Sequence, residues 1–133
     1  MLHLPGRADD TTARDVGQMS GLPTEQRMFL DKLLEAPGIR VSAGVFQPGA
    51  RTAWHVHGIG QLFLIEHGRG VVATRDAVSI ARPGDLIYSP GGEEHWHGAD
   101  PTSIFTYTVI SLGDTTFIDE PVDDAMYLAA FAR

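Results

Sequence analysis

His55 and His57 stand one residue apart, Gln61 follows after a gap of three, and His95 lies further along the chain. On an extended segment, residues at i and i+2 project from one face, so the two imidazoles can converge on a single point. Ring nitrogens joined by one oxygen donor, with coordination positions to spare, suit a divalent first-row transition ion, and open positions mark a reactive site. The chain has no cysteine, so ligands must come from histidine, carboxylate, amide or backbone groups. His97 lies two residues beyond His95 and should project the same way. It is a candidate proton carrier or substrate hydrogen-bond partner, with an ordinary pKa of about 6.5.

Such residues need strands to aim them. The same alternation puts Gln61, Phe63 and Ile65 on a common face, where the two apolar side chains would line a dry interior beside the amide. Trp54 and Trp96 alternate with the histidines and should face the other way, into packing between sheets or subunits. Turn pairs at Pro37-Gly38, Pro48-Gly49, Pro83-Gly84 and Pro90-Gly91-Gly92 punctuate the chain, with Gly68-Arg69-Gly70 among them. Between them lie β-branched and aromatic runs at 39–46, 52–57, 62–66, 71–74, 86–88 and 104–111. Many short strands at even spacing indicate an all-β sandwich or barrel. Residues 26–36 admit two readings, because Phe29, Leu30, Leu33 and Leu34 also suit a helix face. After 115–118 and the interruption at Pro121, residues 122–131 can form a short C-terminal helix outside the barrel. Asp119, Glu120, Asp123 and Asp124 stand near its positive end.

At 133 residues the chain is the size of one domain. Residues 1–22, rich in Asp, Arg, Thr and Gly, read as an N-terminal arm, and 23–133 as the single domain. Ten basic residues against seventeen acidic ones, a net charge of −7, argue against nucleic acid, whose binding is dominated by cationic contacts to phosphate. There is no apolar signal region and no stretch approaching the roughly 20 apolar residues of a spanning helix. The expectation is a cytoplasmic protein without a membrane partner.

The glycines around the histidines form a frame. Gly49 precedes His55 by six positions and Gly68 follows Gln61 by seven, while Gly84, Pro90 and Gly92 lead to His95. This frame resembles the two motifs of the cupins, which implies a jelly-roll barrel whose hairpins supply metal ligands, and it aligns Met28–Asp31 with a barrel strand. The wording of residues 48–55, Gly60-Gln61, 89–91 and 95–99 is similar to a group of small bacterial cupins that includes manganese-dependent hydroxynitrile lyases. The resemblance implies His55, His57, Gln61 and His95 as ligands, Thr52 and Ser111 as pocket residues, and a homodimer. It also implies that Arg51 pairs with a carboxylate or holds that dimer. Four positions depart from the pattern. Gln61 stands where most cupins carry glutamate, and Ala99 where the second motif usually ends in asparagine. Tyr107 replaces a pocket histidine of the resembling lyases and Ser111 a glutamine. A phenol, with a pKa of about 10, is a poorer base than imidazole, so Tyr107 reads as a hydrogen-bond donor or as a buried wall residue.

With four neutral ligands the ion keeps its double positive charge, which favours polarising an oxygen and stabilising an anion that develops on it. The resulting expectation is a metal-dependent enzyme acting on a small organic oxygen compound, most concretely a lyase of hydroxynitrile-lyase type. His97 and Tyr107 are its candidate catalytic residues. The resemblance implies manganese, and neutral N and O donors also accept iron, nickel, zinc and cobalt. Two alternatives stay open: an iron-dependent dioxygenase, and a non-catalytic cupin that binds a small ligand.

Overall fold

Alternation along the strands sets the architecture. In the computed structural model, which describes Met1, Arg14–Asp15 and residues 28–132, Phe105, Tyr107, Val109 and Ser111 are buried while the residues between them are half-buried. The same period buries Gln61, Phe63 and Ile65. Two antiparallel sheets close over these faces as a jelly roll. One sheet has the order β1 (Arg14–Asp15), β2 (Met28–Ala36), β3 (Ile39–Phe46), β10 (Phe105–Leu112), β5 (Gly60–Gly68), β8 (Leu86–Pro90). The other runs β11 (Thr115–Phe117), β4 (His55–His57), β9 (His95–Ala99), β6 (Gly70–Thr74), β7 (Val78–Ala81). Apart from Met1 and β1, the arm expected over 1–22 lies outside the described residues.

Residues 28–36 form a strand, not a helix, with a bulge between Lys32 and Leu34 that lets both flanks keep their pairing to β3. Besides the two-residue β1, two strands escaped the sequence pattern. β7 is four residues squeezed between turns, and β9, His-Trp-His-Gly-Ala, holds little β-branched character although all five residues are buried. The strand expected over 52–57 is regular only over His55–His57, because Arg51 already forms an isolated bridge to Gly98.

The interior between the sheets holds Met28, Phe46, Phe63, Ile65, Phe105, Tyr107 and Val109. A second apolar cluster joins Trp54, Val71, Ala73 and Trp96 to Val122, Tyr127 and Ala130, so the tryptophans face away from the histidines and pack beneath the C-terminal segment. The helix α1 (Asp124–Phe131) starts two residues later than the sequence suggests. Asp123 caps it by accepting from the Met126 amide at 2.8 Å, while Val122 is fully buried. Arg51, 1% exposed, anchors this segment. Its Nε donates to the Val122 carbonyl at 2.9 Å, one terminal nitrogen meets Asp124 at 2.6 Å, and the guanidinium lies 4.3 Å from the centre of the Tyr127 ring. Arg51 thus does pair with a carboxylate, one of its own chain. Among the described residues no helix is long and apolar enough to cross a membrane.

Candidate metal centre

β4 and β9 lie side by side with His55 opposite His95, and the next inward residues, His57 and His97, complete a cluster of four rings. Ring centres are 4.4 Å apart for His55 and His95, 5.2 Å for His55 and His57, 5.2 Å for His57 and His95, and 5.2 Å for His55 and His97. All four are buried. His55, His95 and His97 bring one ring nitrogen each within 4.8 Å of one another, so these three could hold a metal ion.

The outer nitrogens fix the rings. His55 Nδ1 lies 2.8 Å from the Ala53 carbonyl, which can only accept, so the proton sits on Nδ1 and Nε2 keeps its lone pair. His57 Nδ1 is 2.9 Å from Thr115 Oγ1, a residue that β11 places directly across from it. His57 Nε2, on the other side of the ring, is buried and makes no hydrogen bond, although the Gln61 side chain lies near enough to favour the protonated ring. His95 Nδ1 sits 3.2 Å from the Glu93 carbonyl and 3.1 Å from Ser89 Oγ. Its Nε2 lies 2.9 Å from Gln61 Oε1, and the Gln61 amide donates to Ser111 Oγ at 3.0 Å.

Burial keeps the cluster neutral. Desolvation, reinforced by the His95 charge, lowers the His55 pKa to about 3 and that of His57 to about 4. His95 is also lowered by burial, against an opposing pull from the Glu93 carbonyl, and His97 is pushed well below the ordinary value. Neutral imidazoles are the form that binds metal. A buried ring nitrogen without a partner costs free energy, and His95 Nε2 and Gln61 Oε1, 2.9 Å apart, are joined either by the ring N–H donating to the amide oxygen or by a cation between two lone pairs. His57 Nε2 and the His95–Gln61 pair therefore both fit an ion within this cluster.

Tyr107 and His97 form a second unit. Tyr107 Oη is 3.1 Å from His97 Nδ1, both side chains are buried, and burial raises the phenol well above its ordinary pKa. The ring fits because Gly44 lies opposite it on β3, where a Cβ would come within 2.7 Å of Tyr107. Thr52 Oγ1 accepts from the His97 amide at 3.2 Å, and Phe63 meets the His97 ring edge-on at 5.0 Å. Thr52, His55, His57, Gln61, His97, Tyr107 and Ser111 line one cavity of about 40 Å³, whereas Phe63 and Ile65 pack into the apolar interior behind it. His67 is exposed. Thr115, Phe117 and Arg40 also line the cavity, and sequence reasoning missed all three. They reach the site through strand register, which local spacing does not encode.

A two-sheet jelly roll with a histidine cluster inside one sheet defines the class of protein. The chain belongs to the cupin family: the Cupin_2 family, described as a cupin domain, matches residues 44–111, just over half its length. It is 42% identical over 85 residues to the (R)-mandelonitrile lyase of Granulicella tundricola, a match covering 61% of this chain. The chain thus spans 65% of that curated relative's length. Among solved structures, a cupin-like protein from Thermotoga maritima superposes with a TM-score of 0.75 at 29% identity, over 79% of this chain and 85% of that one. The DMSP lyase DddQ of Ruegeria pomeroyi shares the fold at 16% identity, with a TM-score of 0.67 over 80% of this chain and 60% of that one.

Proposed function

We propose that this chain is a metal-dependent lyase of hydroxynitrile-lyase type acting on a small organic oxygen compound, with His55, His57, Gln61 and His95 holding one divalent ion. The observation that carries the reading is His57 Nε2, buried without a hydrogen bond, together with His95 Nε2 and Gln61 Oε1 facing each other at 2.9 Å. The 42% identity to a mandelonitrile lyase supports the reaction class. Manganese is the expected ion, and iron, nickel, zinc or cobalt also suit neutral N and O donors. When bound, the ion would supply Lewis acidity undiminished by ligand charge.

The chain's own residues set the proton positions. The buried Tyr107 hydroxyl has His97 Nδ1 as its partner, so the arrangement that satisfies its hydrogen has Tyr107 donating to Nδ1. His97 then carries its proton on Nε2, and it meets a substrate as a hydrogen-bond donor. To take up a proton instead, the pair must exchange tautomers and leave the phenolic hydrogen without an acceptor. Ser111 holds the Gln61 amide so that Oε1 faces His95. Apolar Phe46, Phe63 and Val109 keep the surroundings dry, which strengthens each of these interactions. The expected setting is a cytoplasmic homodimer. Leu86 and Tyr88, 62% and 58% exposed on the edge strand β8, support pairing of two copies.

The test is release of aldehyde and cyanide from mandelonitrile by manganese-loaded protein, lost in His55→Ala. Absence of turnover across a cyanohydrin panel would remove the lyase version. Turnover that stops without oxygen would favour the iron dioxygenase, and tight binding of a small molecule without its consumption would favour a non-catalytic cupin.

A further inference from the structure

Arg40 is a half-buried cation on the wall of the histidine cavity, beside Thr115 and His57. One guanidinium nitrogen donates to Thr115 Oγ1 at 3.3 Å, a long bond for an N–H donor. Among the described residues no carboxylate forms an ion pair with it. Glu35, its register partner on β2, is instead held by Lys32 at 2.5 Å. Arg40 and Thr115 also line a second, outer cavity of about 170 Å³, whose wall includes Glu35 and Asp114. Arg40 therefore stands between this outer cavity and the histidine cavity.

The inner cavity has no counter-charge of its own. Its described lining contains no aspartate or glutamate. Arg40 is near enough to Glu35 to help lower that carboxyl's pKa, but among the described residues it forms no ion pair, so its planar fork is available to a carboxylate brought in from outside. We infer that Arg40 binds the carboxylate of a small organic acid bearing a hydroxyl or carbonyl oxygen, a ligand class that this site takes beside the neutral cyanohydrins of the lyase reading. The cyanohydrin part of this inference rests on the metal-lyase reading above, whereas the binding part rests on Arg40 alone.

The experiment is an NMR titration of metal-free protein at pH 8 with (R)-lactate and with its neutral counterpart, (R)-lactamide. Lactate should bind metal-free protein at least tenfold more tightly than lactamide. Arg40→Gln should weaken lactate binding at least tenfold and abolish its advantage over lactamide, and Arg40→Lys should keep part of it. Each variant's amide spectrum checks that it is folded, which the half-exposed position of Arg40 favours. Equal binding of lactate and lactamide, or an undiminished preference in Arg40→Gln, overturns the inference. Lactate preference without any cyanohydrin cleavage upholds Arg40 as the anchor and sinks the lyase reading. Cyanohydrin cleavage without lactate preference does the reverse.

Discussion

Replacing His57 by leucine separates a ligand from a packing residue. His57 is 2% exposed, its Nε2 makes no hydrogen bond, and its Nδ1 meets Thr115 at 2.9 Å. Leaving a buried polar atom unsatisfied costs about 1–3 kcal/mol, and an ordinary hydrogen bond returns about 1 kcal/mol. Thr115 is only half-buried, so water can replace its lost partner. Leucine has a similar volume and no polar atom. His57→Leu should therefore be at least as stable as the parent without metal, and up to about 2 kcal/mol more stable. With free manganese at a hundred times its dissociation constant, the parent gains about 2.7 kcal/mol, and a variant that has lost a ligand gains far less. The order of urea midpoints should thus invert between chelator and manganese at pH 8. If the variant is weaker by more than about 2 kcal/mol in chelator, or if manganese shifts both proteins equally, the imidazole is a packing residue and the reasoning fails.

Tyr107→Phe removes the partner of His97 Nδ1 and should cost about 1–3 kcal/mol by urea melting while metal content stays stoichiometric; loss of metal along with the hydroxyl would contradict that separation. Arg51→Met strips three attachments from the C-terminal segment and should cost about 2–4 kcal/mol, with amide exchange accelerating first in α1. Uniform acceleration across both sheets would argue against a local anchor. Metal-free stability should also depend on pH. His55 and His57 have folded pKa values of about 3 and about 4 against an ordinary 6.5, so the folded state binds fewer protons than the unfolded one. Stability should hold above pH 6.5 and fall as pH drops from there towards 3, and urea midpoints that stay flat between pH 7 and pH 4.5 would contradict the assigned burial.

The fold was legible where strand period and turn residues agree. Alternation alone turned His55 and His57 inward and the tryptophans outward, and the positions of Gly49, Gly68, Gly84 and Gly92 framed the hairpins. His95 could be joined to the pair only through that frame, because its approach depends on β4 lying against β9. β9 was legible only through the alternation of His95, Trp96 and His97 and not as a strand-forming run: burial, not β-propensity, holds a sequence containing two histidines and a glycine extended. The supporting residues were hidden for a related reason. Thr115 faces His57 across 58 positions of sequence, Phe117 leans tilted against the His55 ring with centres 5.1 Å apart, and Gly44 clears space for Tyr107 on a neighbouring strand. Each depends on a register set by distant turns. Arg40 reads as a surface charge until its place on the cavity wall is known.

The most direct test of the central claim is an anomalous difference map, recorded at the manganese edge, from crystals grown with manganese. A single peak among His55, His57, Gln61 and His95, with His97 free to face Tyr107, is the predicted result. No peak, or a peak bounded by His55, His95 and His97 with His57 outside it, would contradict the four-ligand site.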